Sequence, residues 1–319
     1  MDIREMINVI WIVMAAGVIF VLPSTIYTAM FFGIFYRHKP LYLDRDDLTG
    51  THYLPYQKEL GEIIREAKGL ECRAVSIRSR DKLVLAGRYY DRGADTTVVL
   101  VHGYQSDSFN NFSSLLKYFL SQGRNVLMID QRAHGQSGGR FTTTGCKEQY
   151  DVMDWVAWLD QHTDCSSIFL YGISMGATTI GLASDKIKSP KVKGLIMEAG
   201  FTSFYEELNA CVGRVFMRQA ALNYIVLCAK HLLHADIKKS TVQALGATAI
   251  PVLFLHGESD SEVDLMHTRM NFDACASEKS LLIVEGAGHT LCHFIGQERV
   301  ENAIGEFIAT HQSQKRMNG

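Results

Sequence analysis

Three absences narrow the reading of this chain. None of its seven cysteines, at positions 72, 146, 165, 211, 228, 275 and 292, lies in a C-x-x-C pair, and their number is odd. That argues against a disulfide framework and a zinc site, and it suits free thiols in a reducing compartment. No metal or cofactor is expected. There is no surplus of basic charge either: 32 Lys and Arg stand against 34 Asp and Glu, for a net charge of −2. Electrostatics therefore offer no case for a nucleic-acid partner. No internal repeat or low-complexity stretch is visible. With 319 residues, 47% of them hydrophobic, the chain can build one sizeable domain plus an appendage. The oligomeric state is not legible.

The third absence is of charge. Residues 6–36 contain no Asp, Glu, Lys or Arg. A bilayer span needs about 20 mostly apolar residues, and this run is long enough. Pro23 fits a tolerated kink, and Trp11, Tyr27 and Tyr36 are placed for the interfaces. A cleaved signal peptide competes, but the only basic residue before the run is Arg4, between Asp2 and Glu5, and no A-x-A site follows. A helix buried within the protein is the third reading. The favoured expectation is an uncleaved transmembrane anchor over residues 1–40. Arg37, Lys39 and Arg45 then put the following domain in the cytoplasm, although Asp44, Asp46 and Asp47 crowd the same flank. Residues 41–70 form a connector, with a helix from Pro55 to Lys68 that carries Leu60, Ile63, Ile64 and Ala67 on one face and stops at Gly69.

Residues 71–90 alternate around a turn near Arg80 and Asp81, which predicts an antiparallel hairpin at a sheet edge. Strands follow near 97–102, 125–130, 167–172, 193–198, 251–256 and 280–285, with helical runs at 111–121, 147–161, 175–186, 263–276 and 293–310. That alternation predicts an α/β fold: a mostly parallel eight-stranded sheet with helices on both faces over residues 71–312. The interval 201–249 is too long for a simple crossover.

What the chain does have is Gly172-Ile173-Ser174-Met175-Gly176, set between a buried strand and a helix. In that context G-x-S-x-G describes a nucleophile elbow, with Gly172 and Gly176 allowing the sharp turn. A serine needs a base, and the base an orienting acid. Asp260 follows strand 251–256, and His289 follows strand 280–285, so both fall at C-terminal strand edges. Asp264 is the rival acid, expected in a first helical turn. His293 is the rival base, expected inside a helix. The oxyanion donors are placed at the amides of Met175 and, in the loop His102-Gly103-Tyr104-Gln105, of Tyr104. His102 and His134 read as loop braces, and Asp130 as the holder of its own turn.

Four landmarks carry a family resemblance: His102-Gly103-Tyr104; the run Asp130-Gln131-Arg132-Ala133-His134-Gly135-Gln136-Ser137; the elbow; and His256-Gly257-Glu258-Ser259-Asp260 with Gly288-His289. Over residues 70–312 the chain resembles the α/β-hydrolases of the serine-aminopeptidase-like and monoacylglycerol-lipase-like group, with Ala133 where a glycine is usual. The resemblance implies an α/β-hydrolase fold with a small helical cap, assigned to residues 203–248, in which Met217 suits an adaptable lining. It also implies a Ser-Asp-His serine hydrolase cleaving small or amphipathic acyl esters. A peptidase, with Glu206 or Glu207 binding a substrate amine, and a non-catalytic membrane scaffold are the alternatives.

Overall fold

The computed structural model describes residues 2–17, 21–37, 51–212 and 218–312. An eight-stranded sheet runs in the order β1-β2-β4-β3-β5-β6-β7-β8. Strands β1 (Arg73–Arg78) and β2 (Val84–Tyr90) form the expected edge hairpin, and β2 also pairs antiparallel with β4 (Asn125–Ile129). The rest is parallel: β3 (Thr96–Val101), β5 (Ser167–Ile173), β6 (Val192–Glu198), β7 (Val252–Gly257) and β8 (Lys279–Val284). Every residue of β3, β4, β5 and β7 is buried, which is why these strands read as unbroken apolar runs.

The two faces carry separate cores. One is covered by α4 (Ser108–Ser121), α11 (Gln297–His311) and the connector helix α3 (Gln57–Lys68). Here Phe112 and Phe119 meet Tyr171, and Phe169 meets Phe307. The other is covered by α5 (Glu148–His162), α6 (Met175–Ala183), α9 (Thr241–Leu245) and α10 (Leu265–Ala274), with Trp155 at its centre. The interval assigned to a cap holds α7 (Phe204–Cys211), α8 (Arg218–Leu232) and α9. Of these, α9 packs on α6 and α10 and buries Leu245 in the main core, whereas α7 and α8 bury Phe204, Leu208, Leu222 and Ile225 in a separate cluster with Phe31 and Phe35. Met217 lies outside the described residues, as do Lys39, Asp44, Arg45, Asp46 and Asp47.

The N-terminal run departs from the expected single span. It forms α1 (Ile3–Ala16) and α2 (Leu22–Phe35). Among the described residues no helix is long and apolar enough to cross a membrane. Fourteen residues give only about 21 Å of helix, against roughly 30 Å of hydrocarbon. More tellingly, α2 is docked on protein. Its Tyr27, Phe31 and Phe35 are buried, the Tyr27 ring packs at a tilt against Tyr224 of α8, and Thr28 Oγ1 lies 2.7 Å from the Tyr224 hydroxyl. Tyr27 is thus a packing residue, not an interface anchor. The helix ends in a one-residue bridge, Tyr36 to Phe141. Apolar composition shows that such a run avoids water; here part of it does so against the cap.

Candidate active site

The strand β5 stops at Ile173, and Ser174 takes φ 54°, ψ −118° before α6 begins at Met175. That positive φ is costly for a non-glycine residue, on the order of 1–3 kcal/mol, and persists only where the surroundings enforce it. They do so closely. A Cβ on Gly176 would sit 1.9 Å from the Val101 carbonyl oxygen, and one on Gly172 would sit 2.4 Å from Gly176. The Ser174 amide donates to the Glu198 carbonyl at the end of β6, 2.8 Å away.

The loops after β7 and β8 bring the next two residues together. Asp260 Oδ2 accepts a hydrogen bond from His289 Nδ1 at 2.7 Å, while Oδ1 accepts the amides of Glu262 and Val263, each at 2.9 Å. The two loops can approach because Gly257 has no side chain: a Cβ there would lie 2.3 Å from the Ala287 carbonyl oxygen. Burial pulls the His289 imidazole towards its neutral form, but the hydrogen bond and charge of Asp260 outweigh it and leave the pKa above its ordinary value. For Asp260, burial works upward, and the bond and charge of His289 with the two amides bring the net shift downward. The rivals lie elsewhere. Asp264 caps α10 by accepting from the Met266 amide at 2.8 Å, and His293 bonds Ser114 and Glu301.

The loop after β3 is held by two neutral histidines. His102 Nδ1 donates to the Gly103 carbonyl and its Nε2 accepts from the Gln131 amide at 3.0 Å. His134 Nδ1 donates to the Arg132 carbonyl and its Nε2 accepts from the Gln105 amide at 3.1 Å. Burial keeps both uncharged, that of His134 down to about 4. Asp130 accepts from Ser108 and the Gln136 amide, and Ala133 adopts φ 61°, so the turn survives without its glycine. The Gly103 amide donates to Asn111 Oδ1 and the Gln105 amide to His134, while that of Tyr104 makes no hydrogen bond among the described residues. Met175, at the first position of α6, has no partner for its amide within the helix.

Ser174, His289 and the loop residues Gly103 and Tyr104 line one pocket of about 560 Å³. Its apolar wall is Ile34, Phe201, Phe204, Leu208 and Val263; Asn110, Asn111, Glu207 and Glu262 add polar groups. Glu207 lines it and Glu206 does not. Several residues here, or in the case of His256 its place beside Asp260, escaped the sequence reading. Tyr53 arrives from a short 3-10 helix (Thr51–Tyr56) and bonds Thr290 beside His289. Ile34 comes from α2. His256 is buried under Asp260, its Nε2 3.6 Å from Oδ2. Glu198 is buried behind the elbow, accepting from the Tyr171 hydroxyl at 2.6 Å and from the Cys292 amide. Position along the chain gives no signal for the first two. The last two lie at or near strand ends, where a polar residue in an apolar strand is itself a hint. Among the described residues no cluster could hold a metal ion.

Comparison with known proteins bears on the fold and the broad class of the chain. A family model described as "Serine aminopeptidase, S33" matches residues 92–224, and one described as "TAP-like protein" matches residues 213–317. Pyrococcus furiosus esterase Pf2001 superposes with a TM-score of 0.65 at 22% identity, covering 84% of this chain and 97% of its own. The chain belongs to the α/β-hydrolase superfamily. Its relatives include the uncharacterised protein YqkD of Bacillus subtilis, 26% identical over 86% of this chain and 92% of that protein. A lysophosphatidylserine lipase of Danio rerio is 26% identical over 52% of this chain but only 44% of its own length. The superposition shows the fold, and the family model and sequence relatives mark this α/β-hydrolase as a hydrolase enzyme.

Proposed function

We propose that this α/β-hydrolase is a serine esterase that forms an acyl-enzyme on Ser174, with His289 as base, Asp260 as its orienting acid and the amides of Tyr104 and Met175 as oxyanion donors. The observation that supports this most is the strained Ser174 in the same pocket as a histidine already bonded to a carboxylate. In this reading Ser174 Oγ attacks the ester carbonyl as His289 Nε2 takes its proton. The same proton then passes to the leaving alkoxide, and water repeats the sequence to release the acid. The apolar wall of Ile34, Phe201, Phe204 and Leu208 suits small or amphipathic acyl groups.

A peptidase reading has one observation in its favour: Glu207 lines the pocket, where it could meet a substrate amine. Glu207 already accepts from Cys211 Sγ and lies 3.7 Å from His267 Nε2, and a triad acting on esters needs less help with its leaving group, so esters are preferred. The test is fluorophosphonate labelling of the full chain in detergent, followed by kcat/KM for C2 to C16 p-nitrophenyl esters beside alanine and proline anilides. Labelling should vanish in Ser174→Ala, whose kcat should fall about 10⁴-fold or more. A larger kcat/KM for any anilide than for every ester would establish the peptidase instead.

Attachment to a membrane surface belongs to the same proposal. Ile7, Ile10, Trp11 and Ile12 of α1 are exposed, as are Leu22, Ile26 and Phe32 of α2. Outward apolar side chains of this kind are suited to contact a membrane surface. The seven free cysteines favour the cytoplasmic side.

A further inference from the structure

The last carbonyls of a helix have no partner inside it and must find one elsewhere. In α2 two of them find it in the hydrolase domain. The Phe35 carbonyl accepts from the Thr142 amide at 2.9 Å, and the Ile34 carbonyl accepts from the Tyr104 hydroxyl at 2.6 Å. Just beyond, Arg37 donates to the Ser137 and Gly135 carbonyls at 2.6 and 2.5 Å, on the turn that His134 ties to the Tyr104 loop. On its other side α2 places Phe35 against Phe204 of the cap, ring centroids 5.8 Å apart, and Ile34 in the pocket wall.

Tyr104 is therefore held at both ends. Its main chain lies between Gly103, bonded to Asn111, and Gln105, bonded to His134. Its side chain crosses to α2. Burial raises the phenol to about 12, so the hydroxyl remains a donor throughout the neutral range.

We infer that α2 is a working part of the active site: its Ile34 carbonyl positions the Tyr104 loop, and its Ile34 side chain forms the acyl-binding wall. The inference rests on the esterase reading, in which the Tyr104 amide receives the developing oxyanion. It makes the N-terminal helix more than a tether. The helix that presents apolar side chains outward also fixes the geometry of the catalytic loop on its inner side. A preorganised donor is worth most when it cannot relax away from the charge it meets, so loosening it should cost turnover and not binding.

The experiment uses two variants of the full chain in detergent. Tyr104→Phe keeps the ring beside Phe204 and deletes the bond to α2. It should lower kcat for p-nitrophenyl butyrate about tenfold, with KM within twofold, and slow fluorophosphonate labelling by a similar factor. Ile34→Ala keeps the carbonyl and removes the wall. It should raise the ratio of the octanoate KM to the acetate KM about fivefold, since each buried methylene is worth roughly fourfold in affinity. The inference fails if Tyr104→Phe labels and turns over like wild type, or if Ile34→Ala affects acetate and octanoate equally. Were Tyr104→Phe to misfold, Ile34→Ala still decides the wall. Absent labelling of the wild type would overturn the esterase reading itself, a result distinguishable from normal labelling in both variants.

Discussion

Replacing Asp260 by asparagine isolates one hydrogen atom in the proposed mechanism. The two oxygens of Asp260 do different work. Oδ1 accepts the Glu262 and Val263 amides at 2.9 Å each, and Oδ2 accepts from His289 Nδ1 at 2.7 Å. An asparagine must keep its oxygen towards the two amides, because an NH₂ there would meet two donors at once. Its nitrogen then faces His289 Nδ1 and can only donate to it. The imidazole is driven to the tautomer protonated on Nε2, which cannot accept the serine proton. The expected loss in kcat is about 10⁴-fold, or roughly 5 kcal/mol of transition-state stabilisation. Side-chain size and both loop bonds are retained, so the melting temperature should change little. The residual acid limb should also move to lower pH, because burial, which favours neutral imidazole, would no longer be opposed by the carboxylate. The assay is kcat against pH for p-nitrophenyl butyrate, with a thermal melt of each variant and Asp264→Asn as comparison. Activity of Asp260→Asn within tenfold of wild type, or a larger loss in Asp264→Asn, would refute the reasoning.

Two further outcomes are expected. His134 has a folded-state pKa of about 4 against an ordinary 6.5, so between these values the unfolded chain binds more protons than the native one. Stability should therefore fall as the pH drops from about 6.5 to about 4, by roughly 3 kcal/mol from this group, and His134→Gln should flatten that part of the profile in urea melts; an unchanged slope would dismiss the assignment. Membrane-bound full-length protein should be released by alkaline carbonate if α1 lies in the interface; full retention in the pellet would restore a spanning helix.

The elbow, the strand order that places Asp260 and His289 at strand ends, and the bracing roles of His102 and His134 depend on local pattern. A short apolar run, a glycine on each side of a serine, and polar residues just past a strand are all read within a few positions of one another. The hairpin of β1 and β2 and the stop of α3 at Gly69 were legible for the same reason. The contributions of Ile34 and Tyr53 to the pocket were not, because each comes from a segment far along the chain from Ser174 and reaches it only through the packing of α2 and the connector. The N-terminal run shows the limit most clearly. Sequence alone determined that residues 6–36 avoid water, since they carry no charge. It could not determine what replaces the water, because lipid and an aromatic-lined cap select the same side chains. Only the tertiary structure decided that for α2, by burying Phe31 and Phe35 on the hydrolase and giving the helix's last carbonyls to Tyr104 and Thr142.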